Sequence, residues 1–215
     1  MSVSADPVLT GISYTGAGWH ALGIIGEDLG FNGSIRKRDV AGYVNITYVL
    51  LEDLTINSGT QVTVDPGVVI KGNYSGIFVK GGFRAKGTTG GGVIVFTSLK
   101  DDNYGNPQDT DGQGQSLSAE RGDWKTIQFL GTSDDAFCLI DSCLLKYGGR
   151  SDGTWGIVGF KDAGGTLSNS TIMDSHQFGV SCDGASTPTI NGVDIRNCRL
   201  DPIAMSLTAD PVFTD

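Results

Sequence analysis

Three features of the sequence predict an all-β solenoid, a chain wound into stacked coils of short parallel strands. The first is turn content. Glycine supplies 33 of the 215 residues and proline only 6, with no G-X-Y period, so tight turns are frequent and a collagen-like chain is excluded. The second is alternation of apolar residues over short runs, as in Val62/Val64 and Val193/Ile195. That is the period of a strand with one buried face, and the runs are too short for helices. The third is an internal repeat.

Ile157, Val180 and Ile203 each sit in a short apolar triplet and follow one another at 23 residues. A second series runs beside the first: Thr166-Leu167-Ser168-Asn169 recurs as Thr189-Ile190-Asn191-Gly192, and Pro188-Thr189-Ile190-Asn191 as Pro211-Val212-Phe213-Thr214, each at the same spacing of 23. Cys138-Leu139-Ile140-Asp141 precedes Thr166 by 28, which predicts a loop insertion of five residues. One coil of this length cannot bury its own inner face. Stacking coils at a strand spacing of ~4.8 Å covers the interior and pairs each backbone with the coil above and below. A sandwich would show hairpin spacing without such recurrence.

In chain order, residues 1–47 fall outside the repeat and read as an N-terminal capping segment with a short helix over His20–Leu29. The solenoid is expected over 48–215. Its first strands are Val49–Ile56, Gln61–Val64, Val68–Lys71, Gly76–Val79, Phe83–Ala85 and Val93–Thr97, with Asp65-Pro66-Gly67 as a turn. Residues 99–122 form a long polar loop, after which strands resume at Trp124–Leu130. Stacked asparagines are expected at Asn169, Asn191 and Asn197. Asp215 follows an apolar strand with no polar cap, which reads either as a segment of a longer protein or as an end that stacks on a second subunit.

The formal net charge of -9 argues against nucleic-acid binding, since the one basic cluster is Arg36, Lys37 and Arg38. No stretch of about 18 apolar residues is present, so membrane insertion is not expected. The opening MSVSADPVLTG lacks the basic and apolar regions of a signal peptide. Cys138, Cys143, Cys182 and Cys198 form no CxxC pair, which argues against structural zinc and leaves their redox state open.

Several steps along the chain carry a family resemblance. Leu54-Thr55-Ile56 followed by Val62-Thr63-Val64-Asp65-Pro66-Gly67-Val68-Val69-Ile70-Lys71 is one. Phe83-Arg84-Ala85-Lys86-Gly87-Thr88, and Val93-Ile94-Val95-Phe96-Thr97-Ser98 with Lys100-Asp101-Asp102, are two more. Gly122-Asp123-Trp124 with Ile127, and Leu144-Leu145-Lys146-Tyr147-Gly148-Gly149, complete the series. In this order, over about residues 50–215, they resemble secreted bacterial right-handed parallel β-helix repeat proteins. The resemblance implies a right-handed coil and an extracellular or cell-surface location with the signal removed. The long loop of that family often carries a calcium motif. Here the matching stretch is Asp109-Thr110-Asp111-Gly112-Gln113-Gly114, so Asp109, Asp111 and Gln113, with Asp101 and Asp102, are the candidate calcium ligands. Gln113 stands where the family often has Asp, which removes one charge.

No catalytic residue is assigned. Asp141, Asp162, Asp174, Asp183 and Asp194 suit glycosidase-like carboxylates on one face, yet Asp is also a natural turn residue of such coils. A lyase would draw its base from Lys146, Arg150, Arg196 or Arg199. His20 and His176 are isolated. Arg121-Gly122-Asp123 spells an adhesion tripeptide but belongs to the G-D-W step. Tyr147, Trp124, Trp155, Phe160 and Phe178 suit either a sugar platform or packing within the coil. The expected function is a non-catalytic surface or adhesion module that binds polysaccharide or cell-surface glycan. The alternatives are a polysaccharide lyase or glycoside hydrolase fragment, and a structural subunit that self-associates end to end.

Overall fold

The structure, a computed structural model, describes residues 1–150 and 156–214. Its strands form three seven-stranded sheets in which all neighbours pair in parallel, so the chain is a β-solenoid of about seven turns. Each coil gives one strand to each sheet in turn. Coil 1 is Leu22–Ile24, Asp28–Leu29 and Gly33–Ile35; coil 2 is Tyr48–Leu50, Leu54–Ile56 and Gln61–Val64. Coil 3 is Val69–Gly72, Ile77–Val79 and Gly82–Lys86; coil 4 is Ile94–Ser98, Ile127–Leu130 and Leu139–Asp141. Coil 5 is Cys143–Lys146, Gly156–Lys161 and Thr166–Ser168; coil 6 is Thr171–Met173, Phe178–Asp183 and Thr189–Asn191. Coil 7 is Asp194–Arg196, Ile203–Met205 and Val212–Thr214. No helix among the described residues is long and apolar enough to cross a membrane.

The interior is a set of vertical columns, one residue per coil. In the third sheet Ile35, Val64, Ala85, Ile140, Leu167, Ile190 and Phe213 lie in register. In the second, Phe129 stacks on Phe160 at 5.1 Å between centroids and 15° between planes, and Phe160 is followed by Cys182 and Met205. In the first, Tyr48, Ile70, Phe96, Leu145, Ile172 and Ile195 align. Because each coil buries its neighbour, the columns are nearly dry from coil 1 to coil 6, and burial of such side chains at about 25 cal/mol per Å² is the main stabilising term.

Several expectations are corrected. The helix over His20–Leu29 is absent; Leu22–Ile24 and Asp28–Leu29 are strands paired with coil 2, so the first coil lies within the segment 1–47. Propensity is overridden there by pairing with an existing sheet edge. Val49–Ile56 is two strands split by a corner, and the strand after the long loop begins at Ile127 rather than Trp124. Val158, not Ile157, is the partner of Val180, while Val180 does pair with Ile203. The extra chain falls between Lys146 and Gly156 of coil 5, where residues 151–155 lie outside the described residues, against 174–177 in coil 6.

Corners explain the drift of the period. Ser142, Asn169 and Gly192 occupy equivalent places at the corner from the third sheet to the first, all at positive φ (54°, 46° and 57°). Tyr147, Asp174 and Asn197 do the same at the corner from the first sheet to the second (63°, 56° and 54°). Left-handed single residues of this kind reverse the chain sharply. Asn169 and Asn197 therefore belong to different columns, and Asn191 sits in a strand opposite Ser168 and Thr214, so the three do not form one stack.

The two ends of the stack differ. Residues at the N-terminus lie across coil 1: Ile25 N–H donates to the carbonyl of Met1 at 3.0 Å, Ser34 N–H to that of Val3 at 3.2 Å, and Val3 is buried in the core. At coil 7, Met205, Val212 and Phe213 are each about half exposed (53%, 53% and 52%).

Candidate metal site

The corner of coil 4 between the first and second sheets, residues 99–126, is far longer than its counterparts in coils 2 and 3. It folds back along the outside of the first sheet and is tied at several points. Asn106 N–H donates to Thr47 Oγ1 at 2.7 Å and its amide to the Val44 carbonyl at 2.6 Å, while His20 N–H donates to the Thr110 carbonyl at 2.7 Å.

Beneath the loop lies Lys71, on the coil 3 strand, fully buried. Its ammonium donates to the carbonyls of Asp101 (2.9 Å) and Gln108 (2.7 Å), which staples the two halves of the loop to the sheet. Burial lowers its pKa, opposed by Asp102, Asp101, Asp111 and Asp109. Nothing in the sequence marks this residue. A lysine next to an inward Ile70 reads as solvent-facing, and the loop alone makes it interior.

Of the five candidate ligands, the structure brings three together. Asp102, Asp109 and Asp111 place one carboxylate oxygen each within 4.8 Å of one another. The Oδ1 atoms of Asp102 and Asp109 are buried without a hydrogen-bond partner. The remaining oxygens shape the turn: Asp111 Oδ1 accepts from Gln113 N–H at 3.1 Å, and Asp109 Oδ2 from Gly114 N–H at 3.1 Å. Burial, then the neighbouring Asp109, raises the pKa of Asp102. Three carboxylates against the one ammonium of Lys71 leave two net negative charges, and all donors are hard oxygens. The donor set therefore fits a divalent cation such as calcium, with further oxygens from water or carbonyls.

Asp101 and Gln113 stand apart from this group. Asp101 accepts from Thr97 Oγ1 (2.6 Å) and Asn103 Nδ2 (2.7 Å), and Lys146 Nζ lies 3.6 Å from it. Burial acts to raise the pKa of Asp101, but those bonds and Lys146 outweigh it and the net shift is downward. Lys146 in turn lies over the rings of Tyr147 (4.6 Å) and Tyr104 (5.2 Å). Gln113 is exposed and enters through its backbone.

The other candidates take structural places. Asp162 and Asp174 hold positive φ at corners, Asp141 accepts from Ser168 Oγ and Asn169 Nδ2, and Asp183 accepts from Gly184 N–H. Arg196 pairs with Asp194 on its own strand at 3.2 Å. Asp123 of the Arg-Gly-Asp sequence is buried and accepts from Ser98 Oγ, Lys100 Nζ and Glu120 N–H, so it is turned inward. Trp124 and Phe160 are core residues, whereas Tyr147 and Phe178 are half-buried. Trp155 lies outside the described residues. All four cysteines are free thiols; burial pushes Cys138 and Cys182 up to about 11 and Cys143 up to about 12.

Comparison with protein families, with curated proteins and with solved structures yields no match.

Proposed function

We propose that this chain is a non-catalytic extracellular surface module, a right-handed parallel β-helix that binds carbohydrate and whose coil 4 loop is clasped by calcium. The observation that supports it is the trio Asp102, Asp109 and Asp111, with two buried carboxylate oxygens that lack partners. Buried unpaired acceptors are costly, and a bound cation removes that cost. A site with few charged ligands on a surface loop suits the millimolar calcium found outside cells. The calcium would hold the loop against the first sheet, and the chain's own Lys71 fixes the loop from below. Asp141, Asp162, Asp174, Asp183 and Asp194 are engaged in turns, strand-end hydrogen bonds and an ion pair, which favours a binding role over a lyase or hydrolase.

Thermal melts test the reading. In ~10 mM calcium the metal-free protein gains about 1.4–2.7 kcal/mol, for a Kd of about 0.1–1 mM. Asp109→Asn with Asp111→Asn removes the gain. An unchanged melting temperature in calcium sinks the proposal.

A second reading, end-to-end self-association, draws on the half-exposed Met205, Val212 and Phe213 of coil 7. A head-to-tail contact would require the segment Met1–Val3 to leave coil 1, because it occupies that edge. Sedimentation at rising concentration distinguishes the two: a single monomeric species removes self-association.

A further inference from the structure

Four coils in succession place a basic residue at the same corner, between the first and second sheets. They are Arg121 in coil 4, Arg150 in coil 5, His176 in coil 6 and Arg199 in coil 7. Backbone bonds stack the corners on one another: Gly122 N–H to Tyr147 O, His176 N–H to Gly148 O, and Arg199 N–H to Ser175 O. Arg121, Gly122, Arg150 and His176 line one small pocket.

The side chains of this corner are held by contacts with one another and with the coils above. The Arg150 guanidinium lies 4.2 Å from the Tyr74 ring centroid, and its Nη1 donates to the Gly122 carbonyl at 3.4 Å. Arg199 Nη1 is 3.2 Å from His176 Nε2. A guanidinium can only donate, so the arginine is the donor of this contact. The His176 ring lies against Gly122, where an added Cβ would come within 3.3 Å of Nδ1, and the φ of +85° at Gly122 also disfavours any side chain. No carboxylate among the described residues forms an ion pair with Arg121, Arg150 or Arg199. Arg121 and Arg199 are exposed. Acids also lie at this corner: Glu120 precedes Arg121, Asp201 follows Arg199 by two positions, and Asp174 shares with Arg121 the surroundings of Cys198.

We propose that this corner is an anion-binding site that takes a carboxylate or sulfate group of an acidic glycan. Unpaired guanidinium groups recognise planar or tetrahedral oxyanions through paired N–H bonds. Coils stacked at the ~4.8 Å strand spacing bring basic residues from several turns to one corner, which suits a ligand bearing more than one charge along an extended chain. Nucleic acid is the poorer fit, because the surrounding surface is acidic and the patch is confined to one corner. The sugar part of this assignment rests on the carbohydrate reading above; the charge part does not.

Isothermal titration at low ionic strength tests it with dextran sulfate, neutral dextran of equal length, inorganic sulfate as competitor and a single-stranded oligonucleotide. Dextran sulfate should bind, inorganic sulfate should compete, and neutral dextran should not bind. The variant Arg121→Ala/Arg199→Ala should weaken binding roughly tenfold or more. The charge-matched control Lys80→Ala/Lys86→Ala, both exposed and on other corners and strands, should leave it unchanged. Equal loss in the control, or no binding at all, overturns the site. Neutral dextran binding as well as dextran sulfate keeps the carbohydrate reading and removes the anionic one. An oligonucleotide binding more tightly than dextran sulfate at the same salt overturns the glycan assignment.

Discussion

Two corners of the same solenoid differ sharply in coils 4 to 7. At the corner from the third sheet to the first, the chain turns on Ser142 alone, then on 169–170 and 192–193. At the corner from the first sheet to the second, it runs over 99–126, 147–155, 174–177 and 197–202. Both use a left-handed residue at each turn, so the backbone device is common. Only the second carries the aspartate trio and the basic column. A solenoid can add chain at one corner because each strand is fixed by the coil above and below it, and chemistry accumulates where length is free.

The contrast can be broken at the wall of the coil. Phe160 is fully buried and stacked on Phe129, so Phe160→Ala should cost about 3–5 kcal/mol in a urea melt, more than any exposed corner substitution. A loss under ~1 kcal/mol would mean that the columns are not the main source of stability. A smaller effect is expected at the staple. Lys71→Met keeps the apolar stem but leaves the Asp101 and Gln108 carbonyls without their donor, at about 1–3 kcal/mol. Hydrogen exchange should rise within 99–122 while coils 5 to 7 stay protected; uniform loss of protection would show that the loop is not a separable unit.

The smallest effect is chemical. Cys138, Cys143 and Cys182 are buried, with pKa values pushed up to about 11, 12 and 11, and thiolate is the reactive form. At pH 8 an alkylating reagent should therefore modify Cys198 alone in the native protein, with no change in melting temperature. Labelling of Cys182 under native conditions would show that the second sheet opens. Raising the pH toward 11 should increase labelling of the buried thiols only as far as the fold admits the reagent.

Much of the wall was legible in the sequence, because inward residues recur at near-constant spacing: Leu167 over Ile190 over Phe213 holds at 23 throughout. Coil 1 was not, since its strands are two or three residues long and take their identity from pairing with coil 2. The long loop was legible from its composition, whereas Asp102, Asp109 and Asp111 entered as candidates through the calcium motif that the family resemblance implies. The exclusion of Asp101 from that trio was not visible, because it depends on Lys146, 45 positions away in the chain and brought beside it by the next coil. The basic column was equally hidden. Arg121, Arg150, His176 and Arg199 share no local pattern, and loop lengths that differ from coil to coil scramble their spacing.

The tight column of Ser142, Asn169 and Gly192 has an engineering consequence. It works as a hinge pin that holds one edge of the stack, leaving the opposite edge to serve as a display rack. A foreign peptide spliced between Asp174 and Phe178 would be carried outward as a hairpin-free arch, and peptides on adjacent coils would sit ~4.8 Å apart. The same graft at Asn169 would have to pry two coils apart.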